Sequence, residues 1–429
     1  MRRKKQPIAR EPVEHHTGVV LQSVTVEREH RSLKRRELWR GGDDLVNGAS
    51  PELRWKRFVV RGDVRVAPLP VIALYATLVA EFLSSKYRAV TAAVNAAQTS
   101  EESFVTIACF GEALAVLVQE QPGPLERAET FTRSIGGAET NVAIALAALG
   151  TPSAIVTRVG ADGFGRYIGA TLADLGVDVS AIDVDPARET GVYLKEVGGT
   201  SGLAGDLGPN TSRMHYYRAG SASSALSPAF LDIPAVAYTL SSADVVHTTG
   251  ITPALSDSAA ATQTALFERK QAGQLLSFDL NWRPALWRDN PDAAHGMLGA
   301  YVDAADIALL GSDEASAVFG VGDPAELRRM FPGPRWLVVK DDSHAAIAFD
   351  GSTRVEVSPS SVDVVEAIGA GDAFAAGLLS GLAASADLGE AMRTAHLTAA
   401  RALSSVHDHV GHDHVGHDQG GHDQVGITP

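Results

Sequence analysis

From residue 104 onward, short apolar runs alternate with longer segments of helical character, and that alternation restricts the possible folds more than any single motif. Residues 105–110, 153–159, 244–248, 274–279, 307–310 and 336–340 are each built around adjacent apolar side chains. Strands solvated on one face would alternate apolar and polar residues. Continuous runs separated by helices belong instead to a parallel sheet covered on both sides. The expected fold class is α/β, with α/β/α layers around a mostly parallel central sheet, over residues 104–406.

Composition sets the remaining bounds. A chain of 429 residues has room for two or three domains by length, though one large α/β domain of about 300 residues is also usual. Cys109 is the single cysteine, so no internal disulfide framework exists. Its apolar setting reads as a buried strand, and a reducing, cytoplasmic location fits. Residues 1–103 carry 18 Lys and Arg against 12 Asp and Glu, leaving 19 against 39 for the rest and a net charge of −14 overall. An acidic main part disfavours nucleic acid as a partner.

Residues 1–103 contain basic clusters (Arg2-Arg3-Lys4-Lys5 and Lys34-Arg35-Arg36) without sustained periodicity. They are expected to be a disordered or weakly folded extension outside the catalytic fold, an upstream region included by a wrong start codon, or a basic interaction arm. The apolar stretch 71–80 falls short of the roughly 20 residues that span a bilayer, and no membrane association is expected. Residues 407–429 form a degenerate His-Asp-x-Val-Gly repeat. It reads as a disordered low-complexity tail, or as an adventitious site for Zn²⁺ or Ni²⁺.

Two glycine-rich segments carry the chemistry. Glu366-Ala-Ile-Gly369-Ala370-Gly371-Asp372 runs straight into an apolar helix, aiming unpaired N–H groups and the positive end of a helix dipole at whatever lies over the turn. Asp372 among such donors is placed to accept a proton from a hydroxyl while backbone N–H groups hold developing negative charge. The same residues also read as an ordinary helix start with an Asp in its first turn. Earlier in the chain, Gly136-Gly137-Ala138-Glu139-Thr140-Asn141 opens a small-residue helix that closes at Gly150, a usual helix stop.

Together, in this order across residues 104–410, the two segments resemble the paired signatures of the ribokinase-like (PfkB) carbohydrate kinases. The resemblance implies a ribokinase-like fold with a small β lid, made from the shorter and more polar segments 113–120, 129–133, 191–197 and 213–218. It also implies pairing of lids in a homo-oligomer. Asp372 would be the catalytic base, and Gly369, Ala370 and Gly371 the anion hole. Three further segments, 215–226, 250–256 and 279–287, resemble those of 2-keto-3-deoxygluconate kinases. A sugar acid brings a carboxylate that a guanidinium grips with paired hydrogen bonds. By resemblance, Glu112, Gly137, Asn141, Tyr193, Tyr216, Arg218 and Arg283 would bind the sugar acid; Tyr217 reads equally as lid packing.

The nucleotide side resembles the family with departures. Asn281, Lys340, Asp342 and Ala345 stand at nucleotide-binding positions, but relatives usually have glycine where Asp342 and Ala345 occur. Glycine there permits a positive-φ turn and a close approach of ligand. Glu314 is retained from an Asn-x-x-Glu pattern that orders Mg²⁺ through water, with Gly311 at the Asn position. Glu366 replaces the usual Asp near a site where some relatives hold a monovalent cation. The expected reaction is transfer of the γ-phosphate of ATP, with Mg²⁺, to the 6-hydroxyl of 2-keto-3-deoxygluconate. The alternatives are another sugar or sugar acid (5-dehydro-2-deoxygluconate or fructose), a catalytically weak sugar-binding relative, or a regulator that uses its basic N-terminus on nucleic acid.

Overall fold

A computed structural model describes residues 105–404, except 289–290, 342–343 and 360–368. The basic extension, the His-rich tail, Asp342 and Glu366 lie outside the described residues. The strands are β1 (Ile107–Phe110), β2 (Leu114–Gln119), β3 (Phe131–Gly136), β4 (Ser153–Gly160), β5 (Asp178–Asp185), β6 (Val192–Val197), β7 (Ser212–Tyr217), β8 (Val245–Thr249), β9 (Leu275–Asp279), β10 (Ile307–Gly311), β11 (Trp336–Lys340), β12 (Ala346–Asp350) and β13 (Thr353–Val357). The α-helices are α1 (Ala138–Ala148), α2 (Gly163–Asp174), α3 (Pro234–Ser242), α4 (Asp257–Glu268), α5 (Pro291–Ala304), α6 (Ser312–Phe319), α7 (Pro324–Met330), α8 (Ala370–Ala383) and α9 (Leu388–Leu403).

Nine strands form one sheet in the order β13-β12-β11-β10-β9-β8-β1-β4-β5. Pairing is parallel from β5 through β11, and β12 and β13 add antiparallel strands at one edge. Chain order runs outward in both directions from β1 and β8, which makes their junction the switch point where open α/β sheets bind ligands. A second sheet of four strands, in the order β3-β2-β6-β7, leaves the main chain path after β1 and supplies the small β lid.

Period-two alternation distributes the apolar runs between two helical layers. Ile107 and Cys109 of β1, with Ile307 and Leu309 of β10, share a core with α1, α8 and α9. Their neighbours face the opposite way: Ala108 and Phe110 pack with α3 and α4, while Ala308 and Leu310 pack with α5 and α6. Continuous apolarity in the sequence thus reflects burial on both faces. Three strands of the sheet lie outside the six runs: β12, which follows β11 as its antiparallel neighbour, and two edge strands. β5 and β13 are the sheet edges, part exposed, and so lack an unbroken apolar run. The lid strand β3 extends to Gly136 and leads directly into α1, beyond the expected limit of 133, because it pairs along the whole of β2.

Cys109 is fully buried, and burial followed by the nearby Glu139 carboxyl pushes its thiol pKa far up. Among the described residues, no helix is long and apolar enough to cross a membrane.

Helices α8 and α9 form a close antiparallel pair. A Cβ added at Gly377 would lie 2.7 Å from the Ala395 Cα, and one at Gly381 would lie 2.6 Å from the Ala391 Cα. Gly377→Ala is therefore expected to force the helices apart and lower stability by about 1–3 kcal/mol, read as a reduced midpoint in chemical denaturation.

Candidate active site

A cleft of about 440 Å³ opens at the carboxyl ends of the strands, between the main sheet and the lid. Glu112 follows β1, Ile251 follows β8, Asp279 ends β9, Glu314 follows β10 and Lys340 ends β11; all line the cleft. The lid contributes Leu114, Tyr193, Met214 and Tyr216, with Arg218 just past β7. Gly137 and Asn141 come from the start of α1, and Gly369, Gly371 and Asp372 from the start of α8. Ala370 and Ala345 do not line it; Ala345 sits half-buried just before β12.

Asp372 is buried, with its carboxylate held between two amides. Asn141 Nδ2 donates to Oδ2 at 2.8 Å, and Asn281 Nδ2 donates to Oδ1 at 3.3 Å. Burial raises its pKa to about 6, opposed by the Asn141 hydrogen bond and by Arg283. Asn281, expected on the nucleotide side, thus touches the carboxylate, and it adopts a positive φ of 40° to do so. No side chain caps α8, whose N-cap Gly369 has a left-handed φ of 79°. An uncapped first turn leaves its N–H groups for a ligand or water.

On the lid side, Arg218 Nη1 donates to Glu112 Oε2 at 2.7 Å, and its guanidinium stacks 4.7 Å from the Tyr216 ring centroid. Glu112 is buried, which lifts its pKa to about 7 against the opposing pull of Arg218. The Tyr193 and Tyr216 rings meet at 5.4 Å, whereas Tyr217 on the other lid face is 66% exposed. Gly137 is dictated by space: its φ is 126°, and a Cβ there would lie 2.2 Å from the Glu112 carbonyl oxygen.

Cations and carboxylates are paired across the remaining wall. Lys340 Nζ donates to Asp279 Oδ2 at 2.7 Å. Burial alone would lower the pKa of this ammonium, but Asp279 and then Glu314 outweigh it and the net shift is upward. Arg283 Nη1 lies 3.6 Å from Glu314 Oε1. That same carboxylate accepts backbone N–H groups from Trp282 at 3.1 Å and Gly311 at 3.4 Å. Glu314 is therefore first a cap that joins α6 to the β9 loop, with lone pairs left for water.

Sequence reasoning missed Asp279 and Glu139, both buried and both lining the cleft. Asp279 is legible as the polar end of an apolar strand. Glu139 is an acidic residue inside an otherwise small and apolar helix start.

Glu112, Glu139 and Asp372 all titrate above ordinary carboxylate values, at about 7, 8 and 6. A raised native pKa means the unfolded chain ionises first, so the stability associated with each group is complete below about pH 4 and is lost as pH rises through its folded pKa. Asp372→Asn is expected to stabilise the free protein by about 1–3 kcal/mol above pH 7. The gain should vanish near pH 4, as read from denaturation midpoints of both proteins across that range.

The match to known proteins agrees with this geometry. The model of the pfkB family carbohydrate kinases matches residues 106–409. Two enzymes named 2-dehydro-3-deoxygluconokinase, from Thermoproteus tenax and Bacillus subtilis (strain 168), are 36% and 32% identical to this chain. Their alignments cover 64% of it and 81% and 82% of theirs. Fructokinase-1 of Oryza sativa subsp. japonica also matches, at 31% identity over 64% of this chain and 81% of its own length. A solved PfkB protein from Polaromonas sp. JS666 superposes with a TM-score of 0.62 at 33% identity, covering 70% of this chain and 96% of that one. With its ribokinase-like fold, this chain belongs to the pfkB family of ATP-dependent carbohydrate kinases.

Proposed function

We propose that this kinase transfers the γ-phosphoryl group of ATP to the 6-hydroxyl of 2-keto-3-deoxygluconate. The observation that carries the reading is the placement of Arg218 and Asp372 in one cleft, two groups suited to opposite ends of that substrate. Its carboxylate and its 6-hydroxyl stand at the two ends of a six-carbon chain. Arg218 on the lid receives the carboxylate, with Tyr193 and Tyr216 enclosing the carbon chain and Asn141 and Gly137 beneath it. The similarity to enzymes named 2-dehydro-3-deoxygluconokinase supports the same choice.

Asp372 accepts the 6-hydroxyl proton as the oxygen attacks the γ-phosphorus. With a pKa near 6 it is ionised at neutral pH yet more basic than an ordinary carboxylate. The N–H groups of Gly369 and Gly371, both lining the cleft, stabilise charge on the transferring group, and Lys340 and Arg283 add positive charge at the same end. Mg²⁺ supplies charge neutralisation of the phosphates when bound; Glu314, facing the cleft with unused lone pairs, is the residue to order its water shell. Lid closure excludes water from the transfer. We further infer that the lids pair in a homo-oligomer, supported by the exposed Tyr217 on β7, an edge strand of the lid sheet.

A coupled ADP-release assay with ATP and Mg²⁺ tests the reading against 5-dehydro-2-deoxygluconate, fructose, ribose and no sugar. Selective turnover of 2-keto-3-deoxygluconate is expected. Asp372→Asn should lower kcat by at least about 10³-fold. Arg218→Ala should raise KM for the sugar acid by about tenfold or more, leaving KM for ATP unchanged. Preference for fructose would discard the carboxylate role of Arg218, and turnover of none would leave a sugar-binding relative.

A further inference from the structure

Three described residues other than glycine have a left-handed backbone: Asn210, Asn281 and Ser385. Asn210 and Ser385 stand on exposed turns, whereas Asn281 is buried, two residues past the end of β9. That conformation is unfavourable for any side chain, though least so for Asn and Asp. The loop is pinned on both sides of it. The Asn281 N–H donates to Asp279 Oδ1 at 3.3 Å, and the other oxygen of that carboxylate takes Lys340 Nζ at 2.7 Å. The Trp282 N–H donates to Glu314 Oε1 at 3.1 Å. Just before the bend, the Leu280 carbonyl oxygen lies where a Cβ at Gly250 would come within 2.3 Å of it.

The amide delivered by this bend serves Asp372. Asn281 Nδ2 donates to Asp372 Oδ1 at 3.3 Å, while Asn281 Oδ1, also buried, has no hydrogen-bond partner among the described residues. An unfavourable backbone persists where the surrounding structure holds it for a purpose, and here the side chain it carries ties no other part of the described fold together. Asn141 Nδ2 already binds Asp372 Oδ2, at 2.8 Å. A carboxylate gripped through one oxygen still turns about its Cβ–Cγ bond, a torsion with broad preferences. A donor on each oxygen sets the plane of the carboxylate, and with it the direction of the lone pairs left for a hydroxyl.

We propose that Asn281 is a positioning residue for phosphoryl transfer, its left-handed backbone delivering an amide that fixes the rotation of the Asp372 carboxylate for the attacking hydroxyl. This rests on the kinase reading of the cleft, with Asp372 as base, and gives Asn281 a role separate from nucleotide binding. Asp279 serves the same end from behind, since its two oxygens hold the Asn281 N–H and the Lys340 ammonium. A group that acts only through the orientation of the base contributes to the transition state and not to holding either substrate. Its loss therefore appears in kcat.

The test compares full-length wild type, N281G and N281D, with ATP, Mg²⁺ and whichever sugar of the panel above the wild type turns over. N281G accepts the left-handed backbone and removes only the amide. It should lower kcat by about ten- to hundredfold, while KM for the sugar and KM for ATP stay within about threefold of wild type. N281D keeps the shape but sets an acceptor against Asp372, and should lower kcat at least as far. A kcat within about threefold of wild type in either variant overturns the proposal. So does a rise of about tenfold in KM for ATP with kcat retained, the mark of a nucleotide contact. If N281G fails to fold, the same split in N281D decides. Turnover of a sugar other than 2-keto-3-deoxygluconate displaces the substrate reading alone, whereas turnover of none overturns the kinase reading and this proposal together.

Discussion

Everything in the cleft depends on holding one buried carboxylate without neutralising it. Asp372 lies between the amides of Asn141 and Asn281, residues 231 and 91 positions away in sequence. A cation in direct contact would fix the carboxylate as firmly and depress its basicity. Neutral donors fix its position while burial raises its proton affinity. The switch-point topology of the sheet serves this arrangement, because only there do the start of α1, the end of β9 and the start of α8 converge.

The surrounding charge is organised by pairing. Arg218, Lys340 and Arg283 each lie beside a carboxylate of the same cleft, at 2.7, 2.7 and 3.6 Å. The cleft therefore presents little uncompensated positive charge. An incoming carboxylate or phosphate has to share these cations with Glu112, Asp279 and Glu314. Shared pairs of this kind favour specificity over raw affinity, since a ligand lacking the matching anion leaves the pairs as they were.

Much of this was legible in the sequence, for identifiable reasons. The central strands are buried on both faces and so stood out by their adjacent apolar residues; the edge strands β5 and β13 are part exposed and did not. The two glycine segments announced helix starts that need close backbone approach, and Gly137 meets the Glu112 carbonyl as such a glycine should. Pairing partners were not legible. Nothing in local sequence states that Asn281 reaches Asp372, or that Glu314 caps a helix with backbone N–H groups from two segments. Glu139 was overlooked because an acidic residue in the first turn of a helix has an ordinary explanation in the helix dipole, and only its complete burial removes that explanation.

Cys109 has a practical consequence. It is the single cysteine of the sequence, it is fully buried in the sheet, and both burial and Glu139 disfavour its thiolate, the form that reacts with electrophiles. The native protein is thus blank to thiol-directed fluorophores and spin labels. A cysteine placed at the exposed Ser212, where β7 begins, would be the one readily labelled position in the described fold. A probe there would report on the environment of the lid sheet against no background, with no native residue removed from the core to silence it.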